Sequence, residues 1–88
     1  MTMPYAVKIK KQAKKKLRSL PRPERQWIAE KIHKLGLNPD DEELDIKKLE
    51  GSHLFRLRVG GWRVIFDRDD LLRIIAIERI KSRGDAYK

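Results

Sequence analysis

The chain has 88 residues, with 22 Lys and Arg against 13 Asp and Glu, a net charge of +9 and no cysteine. This size predicts one domain, residues 1–88, that buries only about two thirds of the surface its unfolded chain exposes; without cysteine there is no disulfide framework and no Cys-based metal site. Two isolated histidines supply no zinc or iron set, and no apolar run approaches the roughly 18–20 residues that span a bilayer, so a cytoplasmic protein free of metal and cofactor, with a polyanion or an acidic protein as partner, is expected.

Tyr5 to Ile9 alternates, with Tyr5, Val7 and Ile9 on one side, and reads as a first strand. From Lys10 onward Ala13, Leu17 and Leu20 recur at helical spacing, while Lys11, Lys14, Lys15, Lys16 and Arg18 cover the remaining surface. Pro21 ends this short cationic helix, and Pro23 suits the first turn of a second, where Glu24 complements the helix dipole. The second helix runs to about Leu35 on an Ile28, Ile32, Leu35 stripe, with Gly36 as its stop. Asn38 to Glu50 begins with turn chemistry at Asn38-Pro39 and carries Asp40, Asp41, Glu42, Glu43 and Asp45. A solvated connector is expected there; the alternative is an internal mimic of phosphate lying over the basic face.

After Gly51 the period changes from 3.6 to 2, and LFRLRVGGWRVIF reads as two strands joined by Gly60-Gly61, residues free to take the positive φ of a tight hairpin. A polar turn, Asp67 to Asp70, leads to a third strand from Leu71 to about Ile80, followed by a tail from Lys81 to Lys88. The expected fold is α+β: an N-terminal strand, a two-helix hairpin, then an antiparallel three-stranded meander.

A two-residue loop sets the register, so that Phe55 opposes Phe66, Arg56 opposes Ile65, Leu57 opposes Val64, Arg58 opposes Arg63 and Val59 opposes Trp62. Side chains alternate across a strand, which puts Phe55, Leu57, Val59, Trp62, Val64 and Phe66 on the helix side and Arg56, Arg58 and Arg63 together on the other. Like charges directly opposite destabilise a strand pair, so this face calls for an anion. A guanidinium fork binds phosphate oxygens in a bidentate way that lysine does not match. Solvation, or pairing with the acidic segment, is the competing account of these arginines. Lys81, Arg83 and Tyr87 are expected to reach the same face, where a phenol among cations can act as a base or carry one by stacking. Cleavage of RNA by its own 2′-hydroxyl needs a base, cations around the phosphorane and an acid for the leaving oxygen; the arginines meet the second need. Glu78 is an alternative base, or a partner for Arg63 or Arg79. His33, His53, Trp27 and Trp62 read as structural or solvated.

The segment K-K-L-E-G-x-x-x-F-R-L-R-V-G-x-W-R-V-I-F, a third strand and then R-x-D-x-Y resemble the RelE/ParE toxin superfamily over nearly the whole chain. The resemblance implies a RelE-like fold of the microbial-RNase type and a type II toxin that enters the ribosomal A site, cuts the bound mRNA and is silenced by a cognate antitoxin in a hetero-oligomer. It assigns Arg63 and Arg56 to the phosphate and Tyr87 to the C-terminal tyrosine of the site. It also aligns Lys81 with an arginine proposed as general acid and Arg83 with an arginine common in the superfamily, while Leu54 stands where the RelE branch often has lysine. Lys11, Lys14, Lys15 and Arg58 suit contacts with rRNA and mRNA phosphates. Other readings are a ParE-like gyrase inhibitor without nuclease chemistry, or a basic nucleic-acid-binding homologue acting only through an antitoxin.

Overall fold

The computed structural model of the chain describes residues 3–82. In chain order the elements are β1 (Ala6–Ile9), α1 (Lys11–Ser19), α2 (Arg22–Leu37), β2 (Ile46–Lys48), β3 (Phe55–Val59), β4 (Trp62–Asp69) and β5 (Ile74–Ser82). They form the expected α+β fold, two helices on a sheet, but the sheet has five strands in the order β1-β5-β4-β3-β2. β1 runs parallel to β5, and every other pairing is antiparallel. Among the described residues no helix is long and apolar enough to cross a membrane.

The core lies between the helices and one sheet face. Ala13, Leu20, Ile28, Ile32 and Leu35 from the helical side meet Leu57, Val59, Val64, Phe66, Ile75, Ile77 and Ile80 from the sheet. The β3–β4 register is the expected one at all five positions. Phe55 and Trp62, at the ends of that hairpin's apolar face, are only partly buried.

Four local expectations are corrected. The segment from Asn38 to Glu50 is not connector throughout, because β2 lies within it; Ile46 opposes Leu57, and Leu44 is buried. Two apolar residues spaced by two within the acidic run are what turn it back onto the sheet. The turn expected at Asp67 to Asp70 lies later, since β4 continues to Asp69 and β5 begins at Ile74 and extends to Ser82, so Lys81 belongs to a strand and not to the tail. Arg73, in this turn, has φ 55, and its guanidinium stacks 4.5 Å from the Tyr5 ring and donates to the Met3 carbonyl. Gly36 does not stop α2 but lies inside it, where a Cβ would come 2.6 Å from Val7 Cγ2 and its carbonyl accepts the Tyr5 N–H at 2.7 Å. Close approach of strand to helix requires the glycine there.

At the hairpin only Gly60 has positive φ, 58°, the demand of a type II′ turn and not of type I′. A Cβ on Gly60 would also sit 2.4 Å from the Trp27 ring. Gly60→Ala therefore combines left-handed strain with a clash and is expected to destabilise the fold by about 1–2 kcal/mol, read as a lower denaturant midpoint; at Gly61, where a Cβ meets nothing within 4 Å, alanine should be close to neutral.

At the far end of the sheet Arg68 ties three segments together. Its Nη1 and Nη2 donate to the two Asp40 carboxylate oxygens at 2.9 and 3.1 Å, its Nε donates to Asp70 at 2.6 Å, and the Tyr5 hydroxyl donates to Asp70 at 2.7 Å. The hydrogen bond from Arg68 holds the Asp40 carboxyl below its ordinary range, that from Tyr5 and then Arg68 does the same for Asp70, and the guanidinium of Arg68 is held more firmly protonated in return. A carboxyl depressed in the folded state contributes stability that is complete above its unfolded value, about 4, and is lost as pH falls through the folded value. Thermal unfolding of the wild type and Arg68→Ala should thus differ at neutral pH and converge as pH drops below about 4.

Candidate active site

Strand register writes the chemistry of the open sheet face as two cross-strand rows. Lys47, Arg56, Ile65 and Arg79 face one another across β2, β3, β4 and β5, and Arg58, Arg63 and Lys81 do so across β3, β4 and β5. Plain alternation in β5 would defeat this arrangement. Ile75 and Ile77 point into the core, so strict period 2 would send Arg79 and Lys81 after them. The structure avoids that with a β-bulge: Ile65 pairs with Arg79 while Phe66 pairs with Ile77, leaving Glu78 as the extra residue. Beyond it Ile80 is buried, and Arg79 and Lys81 join Arg63. Bulges recur beside active sites because one inserted residue re-aims those that follow.

A cavity of about 520 Å³ opens on this face, lined by Leu49, Leu54, Arg56, Arg63, Ile65, Glu78, Arg79 and Lys81. Among the described residues one wall is aliphatic, from Leu49, Leu54 and Ile65, and the rest is cationic apart from the Glu78 carboxylate. The Arg56 side chain is only 17% exposed; its Nη2 lies 3.4 Å from Asp45 Oδ1. Among the described residues the Nε atoms of Arg56 and Arg63, like that of Arg73 in the β4–β5 turn, are buried without a hydrogen-bond partner. Glu78 Oε2 lies 3.4 Å from Lys10 Nζ, so its partner is neither Arg63 nor Arg79.

Arg56, Arg63 and Lys81 thus come together around the cavity. Arg58 opposes Arg63 in register but is exposed and lies outside the lining. Lys11, Lys14 and Lys15 stand with Arg18 along an exposed stripe of α1, while Lys16 points the other way, its ammonium 5.8 Å from the Trp62 ring. Gln12 and Lys16 border Arg79 and Lys81, so the cationic helix adjoins the cavity along the edge of β5. The expectations for Arg83 and Tyr87 fall outside the described residues. Sequence reading did not single out Lys47 or Arg79 for the site; the signal for Lys47 was the Leu44/Ile46 alternation, and for Arg79 nothing short of the bulge would have served. Of the two accounts of the acidic segment, each holds in part: Asp45 reaches Arg56 and Asp40 reaches Arg68, while Glu42 and Glu43 are solvent-exposed.

Residues 7–87 match the family described as the ParE toxin of the type II toxin-antitoxin system parDE. The chain is 40% identical over 90 residues to a candidate toxin, RelE1, of Methanocaldococcus jannaschii, covering 98% of each. Among solved structures it is similar to an archaeal RelE–RelB complex from Pyrococcus horikoshii, with 38% identity, TM-score 0.80, and 93% of this chain and 98% of that one covered. It is also similar to a RelB–RelE antitoxin-toxin complex from Methanococcus jannaschii, with 28% identity, TM-score 0.76, and 92% and 95% covered.

Proposed function

This chain belongs to the RelE/ParE superfamily, as a RelE-like toxin of a type II toxin-antitoxin system, and from that premise we propose that it is an endoribonuclease that cuts mRNA in the ribosomal A site and so stops translation in the cytoplasm. The observation that carries this reading is the cavity in which Arg56, Arg63, Arg79 and Lys81 converge beside the Glu78 carboxylate. Cations held in place before the substrate arrives stabilise the extra negative charge of a phosphorane more than that of the ground-state diester, which is the condition for catalysis rather than mere binding. Arg56 and Arg63 grip the non-bridging oxygens, Lys81 supplies a proton to the leaving oxygen, and the Lys11, Lys14, Lys15 stripe with Arg58 holds neighbouring phosphates of mRNA and rRNA. The resemblance also gives Arg83 a role as further cation and Tyr87 one as stacking platform; both lie outside the described residues.

Its partner is a cognate antitoxin, as RelB is for RelE in the similar archaeal complexes, and a net charge of +9 suits an acidic one. Incubating the purified protein with programmed ribosomes tests the activity: the mRNA is expected to be cut within the A-site codon, and intact mRNA refutes it. The family match to ParE favours one second reading, inhibition of DNA gyrase by binding; loss of supercoiling activity with ribosomal mRNA left intact would select it.

A further inference from the structure

Glu78 is the residue the β5 bulge inserts, and among the described residues it is the one acid lining a cavity of cations and aliphatic side chains. Its side chain is 27% exposed, and among the described residues its ionic contact is Lys10, just ahead of α1, at 3.4 Å. A carboxylate at this place repels the phosphate that Arg56 and Arg63 attract, so it weakens ground-state binding. A hydroxyl beside that phosphate, by contrast, gives it a proton to accept.

We propose that Glu78 is the general base of the cleavage reaction, a role that rests on the endoribonuclease reading above. The Glu78 carboxylate takes the proton of the 2′-hydroxyl on the 5′ side of the scissile phosphate. The 2′-oxygen forms a bond to phosphorus, and the bond from phosphorus to the 5′-oxygen breaks. That oxygen leaves with a proton from the Lys81 ammonium, giving a 2′,3′-cyclic phosphate and a 5′-hydroxyl, and water carries the proton from the Glu78 carboxyl back to Lys81. The bulge thereby does two things with one residue: it turns Arg79 and Lys81 onto the phosphate and sets the base between the core-facing Ile77 and these cations.

Two variants on ribosomes programmed with mRNA test this. Glu78→Gln keeps the shape and removes the proton acceptor, so single-turnover cutting should fall by about 100-fold or more. Its affinity for ribosomes whose mRNA carries a 2′-deoxy nucleotide at the cleavage position should stay the same or rise, because a negative charge has left a cationic site. Lys10→Gln breaks the same ion pair yet leaves the carboxylate, and should keep most of the cutting. A structural role for Glu78 would instead lower cutting and binding together, or make the two variants alike; either result overturns the proposal, as does a Glu78→Gln variant cutting within threefold of wild type. Wild-type protein that leaves the mRNA intact refutes the endoribonuclease reading itself, which is a different outcome from wild type and Glu78→Gln cutting equally.

Discussion

Arg63→Ala is expected to slow single-turnover cleavage of ribosome-bound mRNA by roughly 10²–10³-fold, the scale on which removing one preorganised donor to developing negative charge acts. Arg63 stands at the centre of the second cationic row, with Arg58 on one side and Lys81 on the other, and its buried Nε has no hydrogen-bond partner among the described residues. Its alternative roles predict other results. Were it a solvated surface cation, the variant would differ by no more than a small, salt-dependent change in affinity. Were it structural, the fold would suffer. Instead the unfolding temperature should move little, since the packing of its aliphatic stem is lost while repulsion from Arg58 and Lys81 is relieved. Arg63→Lys should fall between, because it keeps the charge and loses the planar fork. Ribosome affinity should be largely kept, as the α1 lysines and Arg58 remain. Quench-flow cutting rates and circular dichroism melts of the three proteins check this, and an alanine variant within threefold of wild type would remove Arg63 from the mechanism.

Phe66→Ala should be the most damaging core change. Phe66 is 1% exposed, sits on the central strand β4, stacks on Phe55 at 5.5 Å between ring centroids, and borders the register shift that creates the bulge. Emptying such a site removes about 3–5 kcal/mol, a large share of the roughly 5–15 kcal/mol that a domain has in hand, and for a chain this size lowers the melting temperature by about 15 °C or more. Activity should be lost with the fold, and both should return together at low temperature if the bulge survives; a melting temperature within about 5 °C of wild type would show that the core repacks around the gap.

The sequence by itself determined the parts whose physics is local. Alternation on either side of Gly60-Gly61 placed Phe55 against Phe66 and Arg58 against Arg63, because a two-residue loop leaves one register and period 2 leaves one assignment of faces. Helical spacing at Ala13, Leu17 and Leu20 and the proline pair likewise set two helices and the lysine stripe. What depends on partners distant in the chain was not legible. β2 is a three-residue strand inside an acidic run, and it exists only because β3 offers an edge for Ile46 to pair beside. Gly36 carries the signature of a helix stop, yet its reason is Val7, 29 positions earlier in the chain and adjacent in space. Above all, the sequence of β5 read alone sends Arg79 and Lys81 to the same side as Ile75 and Ile77. Only the tertiary structure, by pairing Ile65 with Arg79 and Phe66 with Ile77 and setting Glu78 between them, brings the cations out and a carboxylate with them. A bulge is a mismatch between two strands, and one strand's residues do not encode it: it arises when both Ile77 and Ile80 must reach the same core while β4 stays in register.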